Sequence, residues 1–162
     1  MQKIDLKTPN KKIIQLDQPG EYQFNLLVPE AEVVISSGLL AVGRQELFLR
    51  VIVNHLAPRT HSTVMLKAVG KNTSSIKFAG RIIIVENCFA STAFLTERIL
   101  LLSKQARAEI IPDLEIKNHD VKCSHATSIT QLNEKELFYL MSRGIGRLQA
   151  EKMIISGFFN TP

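Results

Sequence analysis

Residues 26–122 read as short strand after short strand, and from Asn133 the pattern switches to two short helices almost to Pro162. This predicts a mainly β fold with a small helical carboxyl-terminal region. Three observations carry the expectation. Apolar residues alternate with polar ones in brief runs separated by turn residues. Between those runs no interval of about 10–15 residues has helical period, which argues against a doubly wound α/β sheet. Hydrophobic residues make up 45% of the chain but include no Trp, two Tyr and eight Phe, so branched aliphatics fill the interior, as suits a sheet.

Residues 1–25 form a weak lead-in containing Ile13-Ile14 and a Pro19-Gly20 turn. Tyr22, Phe24 and Leu26 alternate until Pro29 breaks the run. Val33-Val34-Ile35 reads as a short strand closed by Ser36-Ser37-Gly38. The longest strand candidate places Leu47, Leu49, Val51 and Val53 on one face, with Pro58 in the connection that follows. Val64, Leu66 and Ala68 repeat the period of two; Gly70-Lys71-Asn72 turns the chain, and Gly80 precedes Ile82-Ile83-Ile84-Val85. Further short candidates lie at 92–94, 98–102, 108–111 and 114–116. Periodicity leaves a sandwich, a barrel and a parallel β-helix open.

The helical part is better marked. Asn133 suits an N-cap, with Glu136 three residues on to complete a capping box. Leu137, Phe138, Leu140 and Met141 make an apolar face, and Arg143-Gly144 stops the helix. After Ile145-Gly146 a second helix carries Leu148, Ala150, Met153, Ile154 and Ile155. Two helices this short cannot bury a full face on each other, so they must lean on the strands, on a partner, or on both.

A formal charge of +5 with scattered Lys and Arg, and no basic run interleaved with aromatics, points away from nucleic acid. Cys88 and Cys123 do not make a disulfide framework. No apolar run approaches the roughly 20 residues that span a bilayer, and the start lacks a signal peptide's apolar stretch, so the cytoplasm is the expected compartment. The usual nucleotide loops, GxxxxGK[ST] and GxGxxG, are absent, as are HExxH and repeated CxxC, so the chain itself is expected to bind no nucleotide.

Cys123 and His125 stand at i and i+2 where strands give way to helices. In an extended segment both side chains share a face, where imidazole could activate a thiolate or the two could act as metal ligands. Two donors do not complete a site, since structural zinc takes four and catalytic zinc commonly three from protein. A buried thiol and a hydrogen-bonded imidazole at a joint is the bland alternative. His55 and His61 flank a polar turn, His119 approaches only if the chain bends, and Cys88 reads as a small buried hydrophobe. Glu97 interrupts an apolar run, either as a surface residue or as a ligand facing a shared cleft.

Taken together, residues 112–116, Asp120-Val121-Lys122-Cys123-Ser124-His125, residues 137–145 (Leu-Phe-Tyr-Leu-Met-Ser-Arg-Gly-Ile), residues 153–159 and Ala57-Pro58-Arg59-Thr60-His61-Ser62-Thr63 resemble the carboxyl-terminal core of the SufB/SufD family, scaffolds of iron–sulfur cluster assembly. The Lys-Cys-Ser-His element resembles SufD more than SufB. The resemblance implies a right-handed parallel β-helix, a short solenoid over 26–132, followed by a helical region over 133–162. It implies a non-enzymatic scaffold that pairs with a SufB/SufD-like second protomer or with itself, and a SufC-type ABC ATPase docked on the helices. Leu137, Phe138, Tyr139, Met141, Arg143, Met153, Ile154 and Phe158 would serve that docking. His125 would face a transient iron–sulfur cluster at the protomer interface, with Cys123 beside it as a second metal ligand. Glu97 falls where SufB-like members carry a cysteine, so it would offer oxygen instead of sulfur. After His125 the family's glycines are replaced in Ala126-Thr127-Ser128-Ile129-Thr130, and the chain is far shorter than typical members. The alternative is a structural or regulatory module that binds SufC without ligating the cluster.

Overall fold

The computed structural model describes residues 1–161. Among the described residues ten strands alternate between two sheets, in the order β1(Gln2–Leu6), β2(Lys11–Leu16), β3(Gly20–Leu26), β4(Glu32–Ala41), β5(Glu46–His55), β6(His61–Gly70), β7(Ser75–Ile84), β8(Ser91–Leu101), β9(Arg107–Ile116) and β10(Val121–Gln131). Odd strands stack as β1-β3-β5-β7-β9 and even strands as β10-β8-β6-β4-β2, every pairing parallel. The architecture is a β-solenoid of about four turns, so the parallel β-helix is the open alternative that the chain adopts. Glu32 pairs with His61, His61 with Thr92 and Thr92 with Lys122, steps of 29, 31 and 30 residues.

Each coil works because one parity of its residues points inward. In β5 these are Leu47, Leu49, Val51 and Val53; in β7 they are Ile76, Phe78, Ile82 and Ile84, all buried in one continuous core. Burying a large aliphatic or aromatic side chain contributes roughly 1.5–3 kcal/mol, and successive coils stack such residues in columns. Outside, polar ladders run from coil to coil: Asn54 Nδ2 donates to Asn25 Oδ1 at 2.7 Å, and Asn25 Nδ2 to Asp5 Oδ1 at 2.8 Å.

Corners stack as well. Glu30, Arg59 and Ala90 each adopt positive φ at the same corner, and their N–H groups donate to Pro58, Phe89 and Asp120 carbonyls of the next coil. The repeated turn holds three non-glycine residues in the left-handed region.

The chain differs from the sequence reading in three places. Residues 1–25 are not a lead-in outside the solenoid: β1 and β2 form its first coil and β3, stacked on β1, opens the second, with Leu6, Leu16 and Phe24 buried. Their polar residues obscure the pattern because β1 and β2 are edge strands with one fully buried side chain each, Leu6 and Leu16, beside the half-buried Ile4 and Ile14. β4 runs through Ser36-Ser37-Gly38, since Ser37 is an inward position whose hydroxyl accepts the Lys67 N–H at 3.2 Å. The short candidates at 92–94 and 98–102 merge into β8, and those at 108–111 and 114–116 into β9, where Pro112 is tolerated on an edge strand.

Two helices follow, α1(Glu134–Ser142) and α2(Arg147–Asn160). Asn133 caps α1 by accepting from Lys135 N–H, while its amide meets Glu136 Oε1 at 3.1 Å. Gly144, with φ +84°, ends α1, and Leu137 and Ala150 are the fully buried residues of the pair. No described helix is long and apolar enough to cross a membrane. Pro162, the last residue of the expected helical region, lies outside the described residues.

Candidate functional site

The solenoid stops at β9 and β10, which are the edge strands of the two sheets. Cys123 and His125 sit on β10, above Ala93 and Leu95 of β8, which point into the core. Both therefore lie on the inward parity of the last rung, about 7 Å apart along the strand. His125 is exposed and Cys123 half-buried against the core. Burial raises the Cys123 thiol pKa, which disfavours the thiolate at neutral pH.

Glu97 is one rung deeper. Its register partner on β10 is Thr127 and on β6 Leu66, so the column runs Leu66, Glu97, Thr127. By strand geometry its Cα is about 8 Å from that of His125 and about 14 Å from that of Cys123. Glu97 is 0% exposed, neither a surface residue nor open to a cleft, because its parity matches Leu95 and Ile99. Among the described residues neither carboxylate oxygen has a hydrogen-bond partner. Burial pushes its pKa up from 4.5 to about 7, and the Gly80 backbone opposes the rise weakly from outside hydrogen-bonding geometry.

Gly80 makes the space for this carboxyl. A Cβ added there would lie 2.7 Å from Leu95 Cδ2 and 2.8 Å from Glu97 Oε1. Sequence reasoning noticed Gly80 only as a strand boundary. Its spacing of 29 residues from inward-facing Val51 is the signal that places it in the core column.

The other candidates lie elsewhere. His55 is buried at the end of β5, with Nδ1 2.7 Å from Thr60 Oγ1 and Nε2 2.8 Å from Ser62 Oγ. Burial, then the nearby His61, lowers its pKa to about 4, so the ring is neutral and structural. Ser62, Ala93 and Cys123 form one column, which puts this network two rungs, about 10 Å, from Cys123. Cys88 is buried and donates its S–H to the His55 carbonyl, with its pKa raised by burial. His61 is exposed against Thr92, and His119 is exposed in the β9–β10 turn. Among the described residues no three His, Cys, Asp or Glu side chains are arranged to hold a metal ion.

Of the helical residues, Phe138 is 73% exposed, and Tyr139, Met141, Arg143 and Met153 are exposed with it. Leu137 faces inward instead, Ile154 is half-buried, and Phe158 is spent on the sheet, where the Lys67 and Arg98 cations approach its ring. A shallow apolar cavity between the helices is lined by Tyr139, Leu140 and Ile154.

Residues 19–158 match the family described as "SUF system FeS cluster assembly, SufBD core domain". Over 104 residues the chain is 31% identical to "Iron-sulfur cluster assembly protein SufB" of Bacillus subtilis (strain 168). It is equally similar to an "Iron-sulfur cluster assembly SufBD family protein" of Staphylococcus epidermidis. Each alignment takes in 64% of this chain and 22% of the relative, so the match spans about a fifth of those proteins' length.

Proposed function

The chain belongs to the SufBD core family of iron–sulfur cluster assembly proteins, and from that premise we propose that it is a non-enzymatic scaffold subunit that holds a nascent cluster as cargo at a shared interface. The observation that carries the reading is the placement of His125 and Cys123 on the inward parity of the last rung, where the solenoid's open end presents the edges of β9 and β10. Two donors are a half-site. A second protomer, another copy or a SufB/SufD-like chain, would seat its own terminal rung there and supply the remaining ligands. Edge strands favour such pairing, since their N–H and C=O groups await partners. His125 is the leading ligand or proton-handling group, Cys123 the candidate sulfur ligand.

The exposed face of α1, with Phe138, Tyr139 and Met141, together with Met153 of α2, is the surface proposed to dock a SufC-type ABC ATPase. Nucleotide-driven closure of that partner would move the helices against the solenoid. The cytoplasm, where such machinery works, is the proposed compartment.

Anaerobic reconstitution with iron and sulfide, alone and with the ATPase, tests the scaffold role. Cluster absorbance that His125→Ala and Cys123→Ser abolish is the expected result. Absence of cluster from every preparation, with His125→Ala indistinguishable from wild type, refutes it.

Two observations favour a second reading, a module that binds the ATPase without ligating the cluster. Glu97 is sealed inside the core, and the Cys123 thiol is biased toward its protonated form. This reading expects ATPase binding to survive Cys123→Ser and His125→Ala and to vanish on deletion of residues 134–159. Loss of binding in the folded point variants would exclude it.

A further inference from the structure

A lysine on the outer wall of the solenoid is sealed under the end of the last helix. Lys67, 3% exposed, sends its Nζ to the carbonyls of Phe158 and Phe159, each at 3.2 Å, and to that of Thr161. These belong to the carboxyl end of α2 and the residue that caps it, whose carbonyls lack partners within the helix and carry its negative dipole end. The same ammonium lies 5.9 Å from the centre of the Phe158 ring.

Lys67 does not act alone. Gly38 of β4 pairs with Lys67 of β6, and Lys67 with Arg98 of β8, so the three form one row across the outer face. Each reads a different feature of α2. Gly38 leaves room for Phe159, whose Cδ1 would be 3.5 Å from an added Cβ, and the Arg98 guanidinium stands 5.7 Å over the Phe158 ring. One turn-end away, Lys71 meets Glu151 of α2 at 2.7 Å, and that carboxylate is 13% exposed. A surface lysine gains nothing by giving up water unless the ordering of its partner compensates. Here the compensation is three helix-end carbonyls.

We infer that the Gly38–Lys67–Arg98 row is a clasp, with Lys67 the positioning residue that fixes the carboxyl end of α2, and so the helix pair, on the even sheet at the level of Glu97. The level follows from sequence: Leu66 and Glu97 point inward directly before Lys67 and Arg98 point outward. Movement of α2 is thereby transmitted to the coil layer that contains the buried carboxyl. The bearing of this on the ATPase rests on the function proposed above; the clasp itself does not.

Hydrogen exchange on the whole chain without any partner tests the clasp. Lys67→Met keeps the stem and removes the charged donor, and amides of residues 155–161 should exchange on the order of 10- to 100-fold faster, the loss of charge-assisted bonds to a helix end. Amides of β4, β6 and β8 should keep their protection. Unchanged exchange in α2 overturns the inference. Should Lys67→Met fail to fold, Gly38→Val drives a branched side chain toward Phe159 from the exposed face of β4. The same faster exchange is expected there, and its absence counts equally against the clasp. A clasp that passes this test while the wild-type chain binds no ATPase leaves the clasp standing and removes the docking reading.

Discussion

Glu97→Gln should gain about 2 kcal/mol of stability relative to wild type as pH rises from 4.5 to 6.5. Two buried groups, Glu97 and His55, move their proton affinities in opposite ways on folding. Folding raises the Glu97 pKa from 4.5 to about 7. Between those values the folded chain holds a proton that the unfolded chain has released, so stability falls as pH rises. Folding lowers the His55 pKa from 6.5 to about 4. Between those values the unfolded chain holds the extra proton, so stability rises with pH. Each tenfold change in proton affinity is about 1.4 kcal/mol, which makes either group alone a span of about 3 kcal/mol across its whole window. In the shared interval the two slopes cancel. The amide that replaces the Glu97 carboxyl cannot titrate, so the variant displays the His55 slope undiluted and should gain about 2 kcal/mol on wild type between pH 4.5 and 6.5. Urea unfolding followed by far-UV circular dichroism at pH 4.5, 5.5 and 6.5 reads this directly. Parallel profiles for the two proteins would mean that Glu97 titrates as an ordinary solvated carboxyl, which its burial in the column forbids.

Gly80→Ala should lower stability by about 1–3 kcal/mol, because its Cβ would collide with Leu95 Cδ2 and Glu97 Oε1 inside a closed coil; an unchanged urea midpoint would show that the coil yields freely. Ala90→Gly should raise stability by about 0.5–1 kcal/mol, since φ +54° costs an L-residue and the turn keeps its hydrogen bond to Asp120; a loss instead would place the turn elsewhere. A thiol reagent at neutral pH should label Cys123 slowly and Cys88 only after unfolding, as exposure and raised thiol pKa require; rapid labelling of native Cys88 contradicts its burial.

The legible parts of the fold were those where local chemistry is strong. Asn133, Glu136 and Gly144 marked α1 because caps and left-handed stops need particular side chains. Leu47 to Val53 marked β5 because its inward residues are uniformly aliphatic. Legibility failed where a solenoid departs from the simple alternation of large apolar and polar residues. Ser37, Ser62 and Glu97 are inward residues with polar side chains, and Gly80 is inward with none. Read locally, each looks like a turn, a surface position or a break. Only the coil spacing of 29–32 residues reveals their parity, and that spacing changes at each corner. The shared face of Cys123 and His125 was readable from their separation of two; the depth of Glu97 was not.

The same register that hid Glu97 gives the molecule its mechanical logic. In a parallel strand the residue after an inward position points outward, so every buried row has an external row bonded to it through the backbone. Leu66 and Glu97 form one such buried row, Lys67 and Arg98 its external counterpart. The helix pair is gripped at that row, and the open end carrying His125 is one rung further on, where Thr127 and Ser128 continue the two rows on β10. A force on α2 therefore reaches the terminal rung across a single inter-strand ladder. Close-packed cores pass such strain on because they have no slack to absorb it. The helices and the proposed half-site at the terminal rung are thus neighbours in the direction that matters for coupling. A scaffold whose cargo site must respond to a partner on its helices would need that adjacency.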